Sequence, residues 1–159
     1  MNRPATVYVT YIASTLEKVW HALKDAEFTR QYWFGGSIIS DWRVGSRVLF
    51  TAKDGALGWQ GEVLEADEPR ILSYTFHMQI SDDHKAESPS RVTFELEDVQ
   101  GVVKLTLTHD QLEAGSKTFE TTHYGWAAIM SSLKSVLESG RPLAFARFGF
   151  APGQREGTD

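Results

Sequence analysis

The side chains that could do chemistry in this chain are few, and they form no familiar catalytic or metal-binding motif. Cysteine is absent, which excludes thiolate zinc sites, disulfide frameworks and cysteine nucleophiles. The histidines contain no His-Glu-x-x-His pair and no zinc-ligand spacing; they are His21, His77, His84, His109 and His123. The Gly-x-Ser-x-Gly, Walker and Gly-x-Gly-x-x-Gly motifs are also missing. We therefore expect neither a bound metal nor a cofactor, and we assign no catalytic residue.

Two histidines, His109 and His123, fall on a strand pattern and a helix pattern that face the interior. Such side chains can bind a polar group of a ligand or exchange a proton. They can equally be buried residues whose ring nitrogens are satisfied by hydrogen bonds, and we favour this second interpretation. Asp82, Asp83 and His84 lie together in a polar segment, which a solvated loop explains better than a divalent-ion site.

Aromatic residues make up 12% of the chain, enough to suggest a ligand pocket. One group of large side chains could line such a pocket or form a plain aromatic core: Tyr74, Phe76, Phe94, Phe119, Trp126 and Met130. A second group could form the lip of its mouth, although we favour simple packing of short helices on a sheet: Tyr32, Trp33, Phe34 and Trp42.

A series of short elements must position these side chains. The first strand is predicted over Thr6–Ile12; a helix then opens at Ser14 with Glu17 in a capping box, and Asp25 caps a second short helix. Alternation and turn signals predict six more strands, at Ser37–Asp41, Arg47–Lys53, Gly58–Ala66, Arg70–Gln79, Ser90–Asp98 and Val102–Asp110. Residues 81–89 are predicted to form a polar loop. The later strands each have one apolar face, as an antiparallel sheet with a solvated back requires.

A long helix is predicted over Ser116–Ser139, where Gly140 caps it and Pro142 prevents its continuation. Its apolar stripe recurs at i+3 and i+4 and consists of Phe119, His123, Trp126, Met130, Leu133 and Leu137. Because this helix is the only large partner for the sheet, the pattern predicts an α+β domain in which a curved seven-stranded antiparallel sheet wraps the helix. Three aromatic residues of the tail are predicted to dock on the domain: Phe145, Phe148 and Phe150.

The bulk properties limit the class of protein. A chain of 159 residues fits one domain, which we place at residues 1–150, with 151–159 as a frayed tail. A net charge of −5 without a cluster of Lys and Arg argues against nucleic acid as a partner. No window is apolar enough for a transmembrane span or a signal peptide, so we expect no membrane partner and a cytoplasmic location.

A series of short segments between Val7 and about Pro142 carries a family resemblance. They are Ile12-Ala13-Ser14, Val19-Trp20, Tyr32-Trp33-Phe34, Asp41–Ser46, Gly61–Glu65, Pro69–Phe76, Val92–Leu96, Leu105–His109 and Gly125-Trp126. In this order they resemble the START-like, or Bet v 1-like, superfamily, in the branch related to the C-terminal domain of the activator of Hsp90 ATPase. The resemblance implies a helix-grip fold with a cavity between sheet and long helix. It does not imply one function, because the superfamily includes carriers and cyclases.

The leading hypothesis is non-catalytic binding of a small, largely apolar molecule in that cavity. The predicted ligand-binding residues are Tyr74, Phe76, Phe94, Leu105, His109, Phe119, His123, Trp126 and Met130. One alternative is a cyclase- or hydratase-type enzyme that uses a cavity histidine or tyrosine as acid/base. The other is a domain that binds a protein partner through its surface, as a co-chaperone does. The chain lacks the N-terminal domain of the eukaryotic co-chaperone, so we do not expect an Hsp90-type partner; a homodimer is left open.

Overall fold

Seven strands and four helices follow one another in the computed structural model, which describes residues 3–143. The elements are β1 (Thr6–Ile12), α1 (Leu16–Lys24), α2 (Ala26–Tyr32), β2 (Ser37–Ser40), β3 (Arg47–Thr51), β4 (Leu57–Asp67), β5 (Ile71–Met78), α3 (Asp82–Lys85), β6 (Ser90–Val99), β7 (Val102–Asp110) and α4 (Lys117–Ser139). Within this described range no helix has both the length and the apolar character that a bilayer crossing needs. The tail aromatics and the frayed tail predicted above lie outside the described residues.

The strands form one antiparallel sheet in the order β1-β7-β6-β5-β4-β3-β2, with β1 and β2 at its two edges. The predicted α+β fold class, with two short helices after the first strand and a sheet around the long helix, is confirmed; the sheet is not closed into a barrel. Strand alternation buries one face of each later strand, since Tyr74 on β5, Phe94 on β6 and Leu107 on β7 are all fully buried. This buried face and α4 together enclose the core.

Capping residues determine where the helices begin and end. Ser116 caps α4 by accepting a hydrogen bond from the Phe119 N–H at 3.0 Å, and Gly140 ends it in the left-handed conformation at φ 79°, as predicted. The predicted cap of α1 at Ser14 is wrong. The Ser14 N–H donates back to the Ile12 carbonyl, and Thr15 accepts from Lys18 N–H instead. The predicted loop 81–89 also contains the short helix α3.

The buried face of α4 is offset from the predicted stripe along its length. Trp126, Met130 and Leu133 are buried as expected, but Phe119 and His123 are only partly buried. The buried positions of the helix are Thr118, Thr122, Gly125, Trp126, Ile129, Met130, Ser132, Leu133 and Val136. At the start of the helix, the Glu87 carboxylate accepts hydrogen bonds from the Thr118 N–H at 3.1 Å and the Thr118 hydroxyl at 2.7 Å. These bonds hold the first turn with Thr118 facing inward.

Candidate ligand cavity

A cavity of about 390 Å³ lies between α4, the end of α2 and the strands β3, β4 and β5. Its aromatic wall consists of Trp33, Phe50, Trp59, Phe76 and Trp126. Further apolar contacts come from Phe34, Ala52, Gly58, Met78, Ile80, Gly125 and Ile129. Its polar contributors are Lys53, Asp54, Thr121 and Thr122. A concave, mostly apolar site with a few polar groups is the usual form of a small-molecule site.

The aromatic wall is a continuous set of ring contacts. Phe50 and Trp59 stack at 5.5 Å with an interplanar angle of 6°, and Trp59 lies 4.6 Å from Phe76. Trp33 contacts the stack from the other side, 4.7 Å from Phe50 and 5.3 Å from Trp126. Each such pair contributes roughly 0.5–1.5 kcal/mol beyond the area it buries, so the wall is expected to be rigid.

Gly36 gives Phe50 its place in this wall. A Cβ atom at position 36 would fall 2.1 Å from the Cζ atom of the Phe50 ring, so any larger residue would displace the ring. The turn after α2 therefore determines the shape of the cavity as well as the path of the chain.

Trp126 is held in the wall by the buried side chain of His109. The indole Nε1–H can only donate, and it donates to His109 Nδ1 at 2.9 Å. The other nitrogen, Nε2, must then carry the proton of the neutral ring, and it donates to the Ser90 hydroxyl at 2.8 Å. Ser90 in turn donates to the Phe76 carbonyl at 3.1 Å.

Burial lowers the pKa of His109 from 6.5 to about 4, against the opposing effect of the Asp110 charge. The imidazole is therefore neutral at physiological pH. Its two ring nitrogens are both engaged by protein groups, so it acts as a fixed support behind Trp126.

The hydroxyls that line the cavity are also committed to the protein. Thr122 donates to the Thr118 carbonyl at 2.8 Å, and Thr121 donates to the Lys117 carbonyl at 2.9 Å. The charged members, Lys53 and Asp54, are exposed at the mouth. Of the described lining residues, these two at the mouth are the only ones with a titratable side chain.

The structure brings together only part of the predicted set of ligand-binding residues. Phe76 and Trp126 line the cavity. Tyr74, Phe94, Leu105 and Met130 are fully buried in the adjoining core. His109 lies behind Trp126, whereas Phe119 and His123 lie at the outer edge of α4.

The polar groups of His123 and Tyr74 lie away from the cavity. His123 Nδ1 lies 3.1 Å from the Thr6 hydroxyl at the sheet edge. The Tyr74 hydroxyl is buried with no hydrogen-bond partner in the described part of the chain, and burial raises its pKa well above 10.0. Tyr74 is therefore protonated at any physiological pH.

Sequence reasoning missed several residues of the wall. Phe50 and Trp59 lie opposite one another in the register of β3 and β4, and the period-2 pattern of β3 carried the signal for Phe50. Trp33 and Phe34 were assigned to the lip or to helix packing, and both line the cavity. Trp42 instead packs near Tyr74 and donates to the Lys24 carbonyl.

The segment Asp82-Asp83-His84 forms a helix turn. His84 is buried, with Nδ1 2.6 Å from the Ser81 hydroxyl and Nε2 2.9 Å from the Thr121 hydroxyl. Across residues 3–143, no three His, Cys, Asp or Glu side chains are grouped closely enough to hold a metal ion.

The family model for "Activator of Hsp90 ATPase homolog 1-like protein" matches residues 13–138, which is most of the chain. The chain belongs to this family. The resemblance to the START-like superfamily, in the branch of the Hsp90 ATPase activators, is thereby confirmed. A comparison with curated proteins finds no match.

Several solved structures share the fold at low sequence identity. The Mesorhizobium loti protein MLL2253 has a TM-score of 0.72 and 22% identity, over 84% of this chain and 96% of that one. The Aha1 dimer from Colwellia psychrerythraea has a TM-score of 0.70 and 19% identity, over 86% and 98%. PFC0360w, an HSP90 activator from Plasmodium falciparum, has a TM-score of 0.69 and 21% identity, over 84% and 95%. At such identities the likeness shows the fold alone.

Proposed function

We propose that the protein binds a small, largely apolar molecule in the cavity between α4 and the sheet. The observation that carries this proposal is the aromatic wall, whose interior offers no titratable side chain among the described lining residues. Such a surface recognises a ligand by shape and by exclusion of water. A ligand that buries ~300 Å² of apolar surface gains about 7 kcal/mol before the entropic costs of binding.

The same geometry gives less support to acid/base catalysis. A general acid or base needs to be within hydrogen-bond reach of the reacting atom. Both nitrogens of His109 are engaged, the Tyr74 hydroxyl is buried in the core, and His123 lies at the sheet edge. None of the three lines the cavity, which favours binding over a cyclase- or hydratase-type reaction.

The proposal can be tested with 8-anilinonaphthalene-1-sulfonate, a fluorescent apolar probe, and with a matched pair of variants. Trp33→Leu removes part of the cavity wall, whereas Trp20→Leu removes an equally buried tryptophan that does not line it. We expect the first substitution to weaken probe binding roughly tenfold, the equivalent of one lost aromatic contact, and the second to leave it unchanged. Equal loss in both variants, or no saturable binding by the wild type, would refute the proposal.

The natural ligand can be sought by native mass spectrometry of the protein purified from its own host. A co-purifying molecule should displace the probe from the wild type. If it does not, it is held elsewhere on the protein.

An Hsp90-type chaperone is the second candidate partner, because the matching family is described by activation of the Hsp90 ATPase. Addition of the protein to the host's Hsp90 ATPase should raise its rate if this candidate is correct. The rate should then be insensitive to Trp33→Leu, since an interaction through the surface does not depend on the cavity wall.

A further inference from the structure

The two edges of the sheet are built differently. β2 is only four residues long, and short edge strands are one of the ways in which proteins prevent edge-to-edge pairing. β1 has seven residues, Thr6–Ile12, with no charged residue, proline or glycine among them. It consists entirely of β-branched and aromatic residues, which strongly favour strand pairing. Within the strand itself, β1 thus lacks the features that usually prevent edge-to-edge pairing.

The outer face of β1 is also apolar and exposed. Val7 is 63% exposed, Val9 47% and Tyr11 49%. Their neighbours on β7 are Thr108, Thr106 and Lys104, so the apolar strip runs along the outermost strand of the sheet.

At this edge, α4 engages two of the outward-facing backbone groups at the end of β1. The Tyr11 carbonyl accepts from Lys134 Nζ and the Ala13 N–H donates to Glu138 at 2.7 Å, both from α4. These contacts place the outward backbone groups on the odd-numbered residues. Because backbone groups of a strand alternate between its two sides, those of Val7 and Val9 also point away from β7.

We propose that this edge pairs antiparallel with the β1 edge of a second copy of the chain, about a two-fold axis at Val9. Val9 then lies opposite the partner's Val9, and Val7 lies opposite the partner's Tyr11. The three outward residues of each copy form about six backbone hydrogen bonds across the junction. The Tyr11 carbonyl can take part while it accepts from Lys134, because a carbonyl oxygen has two lone pairs. The sheets of the two copies become one continuous sheet.

A second copy fits this edge better than another partner because the pairing is self-complementary in shape and charge. Only valine and tyrosine side chains meet on the outer face, with no buried charge. The antiparallel arrangement brings Arg3, before β1, near the partner's Glu17, after β1. Arg3 makes no ion pair with the described residues of its own chain, so it is available for this contact. Isologous pairing of this kind closes at two copies.

The contact is smaller than the ~800 Å² per partner of a standard interface, so association is expected at roughly 10–100 µM. Sedimentation velocity of the full chain from ~1 µM to ~500 µM covers this range. The weight-average mass should rise from 17.8 kDa towards twice that value. Val9→Lys should keep it at one chain, because a charge at the centre of the junction prevents pairing. The control Ile39→Lys changes a 57% exposed residue on the opposite edge strand and should dimerise as the wild type does.

A wild type that stays monomeric throughout, or Val9→Lys that dimerises like Ile39→Lys, would overturn the proposal. A second measurement covers the case in which Val9→Lys fails to fold. Since the chain has no cysteine, Val9→Cys places a single thiol at the two-fold axis. Mild oxidation should join two copies much faster than in Val44→Cys, whose position is 70% exposed in a turn. Equal rates for the two variants would equally overturn it.

Discussion

Gly125 offers a way to change the volume of the cavity without disturbing the wall around it. The residue is buried in the middle of α4 and lines the cavity. A Cβ atom added at this position would meet no atom within 4 Å, so a side chain there would extend into the open space. Its substitution should therefore affect stability and ligand binding in opposite directions.

The two effects can be estimated separately. Glycine in a helix interior is less favourable than alanine by about 1 kcal/mol, and nothing opposes the added methyl group. Gly125→Ala should thus raise the free energy of unfolding by about 1 kcal/mol, or the melting temperature by roughly 2–4 °C. Gly125→Leu adds four carbon atoms, roughly 100 Å³ at interior packing density. That is about a quarter of the 390 Å³ cavity, and we expect probe affinity to fall at least tenfold.

Urea unfolding and titration with 8-anilinonaphthalene-1-sulfonate measure the two quantities on the same samples. Ala127→Leu is the matched control, because it adds similar bulk to an exposed position two residues away. It should leave probe affinity unchanged. The reasoning is refuted if Gly125→Leu binds the probe as the wild type does, or if Gly125→Ala lowers stability.

His109 and Gly61 each lead to one further prediction. Because burial lowers the pKa of His109 from 6.5 to about 4, the unfolded chain binds more protons between these values. The contribution of the neutral His109 side chain to the free energy of unfolding is complete above pH 6.5, and about 3 kcal/mol is lost as the pH falls to about 4. Urea unfolding of the wild type should show this pH dependence, and His109→Gln should lack it. For Gly61→Ala, the new Cβ would lie 1.8 Å from the Thr75 carbonyl oxygen, so a loss of at least ~3 kcal/mol is expected. Gly58→Ala is the control, because a Cβ atom at position 58 would lie no closer than 3.4 Å to its neighbours. Similar urea midpoints for Gly61→Ala and Gly58→Ala would contradict the argument.

Much of the fold could be predicted from local patterns. Turn residues and period-2 alternation gave each strand to within one or two residues, since the exposed face of an antiparallel strand differs chemically from its buried face. Gly140 and Ser116 gave both ends of α4, because cap geometry depends on one or two nearby residues.

The wall of the cavity could be predicted less well, because it depends on the rotation of α4. The stripe through Phe119 and His123 has the correct spacing for a helix. In the structure the smaller residues Thr118 and Thr122 face inward at that end, where the distant Glu87 carboxylate accepts hydrogen bonds from Thr118. The spacing of apolar residues shows which of them share a face of a helix. It does not show which of two adjacent faces packs against the sheet.

The cavity and the β1 edge use different faces of α4, so ligand binding and dimer formation should be independent. Gly125 faces the cavity, whereas Lys134 reaches the Tyr11 carbonyl at the sheet edge. Substitutions at separated sites without shared partners usually add to within ~0.5 kcal/mol, about a twofold change in a binding constant. Gly125→Leu should therefore weaken probe binding without changing the concentration dependence of the mass, and Val9→Lys should do the reverse. The double variant should show both effects unchanged. If Val9→Lys shifts probe affinity by much more than twofold, α4 transmits a change from the sheet edge to the cavity wall, and the two faces cannot be treated as separate.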